Sequence, residues 1–248
     1  MSTNAELVGP HPRSAGAPAG MVGTQLVSGG RMADGRPSGP LFYWSDTHFT
    51  RDFEFGLHPH QGFEIMSVVL EGTTRHYDTA TQEWAGLATG DLEVMATGSG
   101  ISHVEQAAAG TRVFSIWFDP DLTTALTEPP RYTLAAGAAA VTGGADPAPT
   151  IADLVGGRAP VDPRTGGLAV QRLTVPGGRR GEIALGAGRR GVAYVLGGHG
   201  SVNDLEVHGG DVLDTGTDEV VTVGGREATD VFVVSFPAST PYTPLRSQ

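Results

Sequence analysis

The chain repeats itself, and the repeat is written in strands. Val69-Leu70-Glu71-Gly72 corresponds to Val195-Leu196-Gly197-Gly198, Thr89-Gly90-Asp91-Leu92 to Gly209-Gly210-Asp211-Val212, and Val113–Phe118 to Val231–Phe236, in the same order and with similar gaps. Each unit is a short run of β-branched or aromatic residues closed by Gly or opened by Gly-Asp, which is the pattern of strands joined by tight turns. No stretch shows a sustained helical period. A helical turn is expected around Thr123–Leu126, stopped by Pro129 and Pro130, with a short helix or turn near Ile151–Val155. The expected fold is therefore all-β, two jelly-roll barrels in one chain.

Composition places the boundaries. Residues 1–20 are mostly Gly, Ala, Pro and Ser and read as a flexible tail. The first barrel is expected over 21–133, an Ala/Gly/Pro-rich linker over 134–167, and the second barrel over 168–248.

The same composition removes whole classes of chemistry. There are no cysteines, so disulfides, thiol nucleophiles, iron–sulfur clusters and thiolate zinc sites are out. All 16 basic residues are arginine, which removes Schiff-base and phosphate-loop lysines. A net charge of −11 without a basic run argues against direct binding of nucleic acid or of an anionic membrane. No apolar run is long enough to span a bilayer, and the start has no signal-peptide core, so a cytoplasmic protein is expected. Chemistry must come from His, carboxylates, hydroxyls, Arg or a metal.

His58-Pro59-His60 supplies the strongest candidate. In a strand, residues i and i+2 share a face, so both imidazoles can point into a barrel. His103-Val104-Glu105 repeats the spacing with an imidazole and a carboxylate. If the two segments are neighbouring strands, they offer three nitrogens and one or two oxygens to one divalent metal. His and carboxylate donors with open positions suit Fe(II) best, with Mn, Ni, Co, Cu and Zn as alternatives. A lone HxH arises readily by chance, and histidines often sit satisfied in cores. The repeat offers a control: counting from the shared glycines puts Ala184, Gly186, Val223 and Gly225 opposite His58, His60, His103 and Glu105. The second copy keeps the scaffold signals and lacks the ligands, so its barrel is expected to be structural.

FGLHPHQGFEIMSVVLEG followed by GDLEVMATGSGISHVEQ resembles the N-terminal domain of the pirin family over roughly residues 40–120. The resemblance implies a bicupin that holds one metal, usually iron, through His58, His60, His103 and Glu105. It also implies either of two functions. One is an iron-dependent dioxygenase of quercetin 2,3-dioxygenase type, acting on a flavonol-like or enolic small molecule. The other is a non-catalytic, redox-sensitive iron protein acting through a protein partner. Pirins usually carry Arg where this chain has Gln61, and the C-terminal half resembles only a generic cupin.

The remaining candidates rank lower. Glu64 is read as a carboxylate behind the site or a structural one, His76 as a surface or rim residue, and His48 as core or behind the site. His11 lies in the tail, and His199 and His208 lie in turns of the empty barrel, so none is assigned a role. Phe42, Tyr43, Trp44, Phe114, Trp117 and Phe118 are expected to pack the core. A bicupin can satisfy its sheet edges within one chain, so a monomer is expected.

Overall fold

The repeated turns come first, because they set where strands end. Gly72 and Gly198 adopt φ of 81° and 91°, and a Cβ at either would strike Thr111 or the Ala228 backbone. Only glycine closes both strands at this approach. The computed structural model describes residues 4–10, 18–140 and 148–245.

The first series of strands is β1 (Glu6–Leu7), β2 (Met21–Val27), β3 (Leu41–Phe49), β4 (Phe53–His60), β5 (Glu64–Glu71), β6 (Thr73–Asp78), β7 (Trp84–Ala88), β8 (Leu92–Ala96), β9 (Ile101–Ala107), β10 (Arg112–Phe118) and β11 (Arg131–Ala135). The second is β12 (Thr150–Val155), β13 (Ala169–Val175), β14 (Arg180–Ala184), β15 (Arg189–Gly197), β16 (His199–Val202), β17 (Leu205–His208), β18 (Val212–Asp214), β19 (Val220–Gly225) and β20 (Thr229–Pro237). The expected helical turn is α1 (Leu122–Ala125), capped by the Asp121 side chain accepting from the Thr123 amide. Among the described residues, no helix is long and apolar enough to cross a membrane.

Each barrel pairs a six-stranded sheet with a four-stranded one. The first is β11-β8-β5-β10-β3-β2 with β4-β9-β6-β7; the second is β1-β18-β15-β20-β13-β12 with β14-β19-β16-β17. The strand orders match one for one, and the fold is a bicupin. Two segments differ from their sequence reading. Glu6 and Leu7 lie within the expected tail, yet they pair with Asp214 and Leu213 as the edge of the second barrel, in the place β11 fills in the first. Ile151–Val155 is no helix or turn: it lies in β12, paired with β13 at that sheet's other edge. Short segments such as these become strands only because a distant edge offers them partners, which local text does not reveal.

The two six-stranded sheets pack face to face. Trp44 and Phe114 from one meet Tyr194 and Phe232 from the other in a continuous buried core, with Phe114 and Phe232 centroids 4.8 Å apart. An ion pair flanks it in each sheet, with the signs exchanged. Arg112 pairs with Asp46 at 2.5 Å, and at the corresponding positions Asp230 pairs with Arg172 at 2.5 Å. Tyr194 Oη also donates to Asp46 at 2.9 Å, tying the second barrel to the first barrel's pair.

The barrel interiors are opposites. In the first, Thr47, Ser67, Glu93 and Ser115 face a cavity of about 430 Å³. Register places Leu173, Ala193, Leu213 and Val233 at the equivalent positions of the second. All four belong to its closed aliphatic core.

Candidate metal centre

β4 and β9 are antiparallel neighbours, and their register sets His58 directly opposite His103. His60 follows on the same face of β4. The three imidazoles converge: each offers a nitrogen within 4.8 Å of the others, and ring centroids are 4.3–4.9 Å apart. His58 Nδ1–H donates to the Gly56 carbonyl at 2.8 Å, which leaves its Nε2 lone pair facing the cluster. Trp117 meets the His60 ring edge-on, with centroids 4.9 Å apart, and helps fix its plane.

Burial disfavours the protonated form of His60 and His103 and so keeps their nitrogens available as ligands. It lowers the His103 pKa to about 2, helped by the neighbouring His58, His60 and His76, and lowers that of His60 to about 4, helped by His58. Glu105 is two residues beyond His103 on β9 and lines the same cavity. It stands outside the tight three-histidine cluster. Burial pushes its pKa up to about 7. The pocket thus disfavours protonated imidazole and ionised carboxylate alike. A divalent cation would compensate the carboxylate charge and use the neutral nitrogens, so the donor set fits a metal.

Four residues sit differently from their sequence reading. His76 is no rim residue: it is 2% exposed, its ring centroid lies 5.3 Å from that of His103, and it stacks on Tyr132 at 4.6 Å. Its Nε2 contacts Asp78 Oδ2 at 3.2 Å, while Tyr132 donates to Glu93 at 2.8 Å. This packed layer behind His103 went unrecognised because nothing in the text after the Gly72 turn shows that His76 pairs with Glu105. His48 is exposed, since alternation along β3 turns it away from Thr47 and the cavity. Tyr43 and Trp117, expected as core, line the cavity with Phe49, Phe53 and Phe55, whereas Trp44, Phe114 and Phe118 are fully buried core.

Glu64 is structural. It is 1% exposed and accepts from the Arg164 and Thr165 amides and from Thr165 Oγ1, each at 2.6 Å. Gln61 donates to the Ser99 carbonyl at 2.9 Å, bridging β4 to the loop before β9.

The second barrel's equivalents also need correction. Strand register, as opposed to counting from glycines, places Ile183 and Leu185 at the positions of His58 and His60, and Val221 and Val223 at those of His103 and Glu105. The count slipped by one residue on β14 because the turn from β14 to β15 is one residue longer than the turn from β4 to β5. It slipped by two on β19 because the turn before β9 is longer. None of the four is a ligand; all are buried aliphatics.

Known proteins resemble this chain over the same span. The Pirin family model matches residues 40–118. A pirin-like protein from Caulobacter vibrioides is 37% identical over 84 residues, which is 33% of this chain and 36% of that protein. A quercetin 2,3-dioxygenase from Escherichia coli K12 is 36% identical over 70 residues, covering 27% of this chain and 30% of that one. These alignments thus span only about a third of the curated relatives' length. Over nearly the whole chain, the fold matches the crystal structure of the bacterial pirin YhhW from Escherichia coli in complex with nickel(II), with TM-score 0.77, 20% identity, and coverage of 95% of this chain and 100% of that one. The span matched by the Pirin family model, residues 40–118, includes the strands that carry His58, His60, His103 and Glu105, so over that part the chain is similar to the pirins.

Proposed function

We propose that this protein is an Fe(II)-dependent dioxygenase of quercetin 2,3-dioxygenase type, acting on a flat, chelating enol such as a flavonol. The observation that carries the reading is the convergence of three imidazoles on an aromatic-walled cavity of about 430 Å³ that also holds Glu105. His58, His60 and His103 hold the iron, with Glu105 as the fourth ligand. When bound, the iron supplies charge to bind an enolate and redox chemistry toward O₂.

The chain's own residues prepare the substrate. Tyr43, Phe49, Phe53, Phe55 and Trp117 form walls that fit a planar ring system and exclude water. Ser45, Thr47, Ser67 and Ser115 offer hydroxyls to substrate oxygens on the cavity side of the large sheet. Glu105 lines the same cavity and is the carboxylate we assign to assist in taking the proton from the enol hydroxyl.

Oxygen uptake tests the proposal. Protein reconstituted with Fe(II) should consume O₂ when quercetin is added, and Trp117→Ala should raise KM more than it lowers kcat. Iron bound without substrate-dependent uptake overturns the enzymatic reading in favour of a non-catalytic iron protein.

A further inference from the structure

A second set of metal-type donors lies on the outside of the second barrel. β16 and β17 are joined by Asn203 and Asp204, whose φ of 45° and 66° are those of a two-residue hairpin turn. That turn fixes the register and sets His199 opposite His208. Alternation sends Val202 and Val207 into the aliphatic core and leaves His199, Glu206 and His208 on the outer face.

The three side chains converge there. The two rings stack with centroids 4.4 Å apart and an interplanar angle of 11°. Glu206 Oε1 lies 3.0 Å from His199 Nε2. One ligand atom from each residue lies within 4.8 Å of the others. The side chains of His199 and Glu206 are 28% and 56% exposed, so a hydrated ion can reach them.

A surface His–carboxylate contact is often nothing more than an ion pair, and here Arg226 Nη1 also approaches Glu206 Oε1, at 3.2 Å. The second imidazole is what an ion pair does not need. The stacked rings bring a second ring nitrogen beside the carboxylate. The corresponding outer positions of the first barrel are Thr73, Gly86 and Ala88, which supply no such donors.

We propose that His199, Glu206 and His208 form a second, solvent-open site for a late first-row divalent cation, Zn²⁺, Ni²⁺ or Cu²⁺. Two imidazole nitrogens and one carboxylate oxygen suit these ions, with the remaining positions left to water. Arg226 competes with the cation for Glu206. The site is independent of the cavity and of the dioxygenase reading.

The test is a titration of the metal-free full chain with Zn²⁺, read by equilibrium dialysis with elemental analysis. It is paired with Cu²⁺ broadening of the histidine ring signals in NMR spectra. Wild type should bind one equivalent that survives His58→Ala and is lost in both His199→Ala and His208→Ala. Arg226→Ala should tighten that equivalent, and substoichiometric Cu²⁺ should broaden the His199 and His208 signals. All three positions are on the surface, so circular dichroism should be unchanged. Equal Zn²⁺ binding by wild type, His199→Ala and His208→Ala overturns the proposal, as do His199 and His208 signals left sharp by Cu²⁺. Loss of binding only in His58→Ala also overturns it.

Discussion

His103 Nε2 lies 2.9 Å from His58 Nε2, two ligand-type nitrogens facing each other across β4 and β9. His58 spends its Nδ1 proton on Gly56, so in the metal-free protein His103 donates the proton between them. The His103 Nδ1, buried without a partner, is then the unprotonated nitrogen. A cation between the rings replaces that shared proton. His58→Ala and His103→Ala should each abolish the rise in melting temperature that Fe(II) or Ni²⁺ gives the wild type. Thermal unfolding with and without metal checks this, and an undiminished rise in either variant contradicts it.

Glu64 offers a sharp contrast, because cupin-like spacing makes it a rival ligand. Its carboxylate is already taken by Arg164 and Thr165, about a hundred residues away in sequence. Glu64→Ala strands these donors and should cost at least about 2 kcal/mol in urea unfolding. Metal stoichiometry in the first barrel should be unchanged. Loss of the metal with stability intact would reverse the assignment.

Acid should destabilise the metal-free protein. His103 and His60 stay neutral in the fold to about 2 and about 4, against 6.5 when unfolded, so below 6.5 the unfolded chain takes up two protons that the fold refuses. Glu105 works the other way: the fold has protonated it by about 7, the unfolded chain only near 4.5. Between 6.5 and 4.5 the unfolded state therefore binds about one proton more, and stability should fall by about 1.4 kcal/mol per pH unit. Urea midpoints across that window check the slope. Stability rising on acidification contradicts the burial of the histidines.

The interface between the barrels should make them unfold together. Tyr194→Phe removes one donor from Asp46 and leaves Arg112 in place, so it should cost about 1–2 kcal/mol. Unfolding should remain a single transition because the Trp44–Tyr194 core is shared. Two separate transitions in calorimetry of the wild type would show that the sheets are not coupled.

Some of this was legible in the sequence, for stated reasons. HPH and HVE spacing carries direct information about a strand face, so the shared face within each pair could be read from alternation, while the convergence of His58, His60 and His103 needed the β4–β9 pairing. The repeat could be read because Gly72 and Gly198 are dictated by the same turn. Register could not. The longer turn after β14 and the longer turn before β9 moved the second-barrel equivalents to Ile183, Leu185, Val221 and Val223. His76 was invisible as a buried neighbour because its partner Glu105 lies on a different strand. Glu64 bonds to residues far along the chain, and Glu6 finds its edge more than two hundred residues away. His199 and His208 look unremarkable until a two-residue turn sets them face to face.

The most direct test is anomalous diffraction at the iron edge from crystals of the Fe(II)-loaded protein. The account predicts a peak about 2.0–2.3 Å from nitrogens of His58, His60 and His103 and from a Glu105 oxygen, with none among Ile183, Val221 and Val223. A first barrel with no peak at full iron loading, or a peak coordinated by Glu64 with Glu105 turned away, would contradict it.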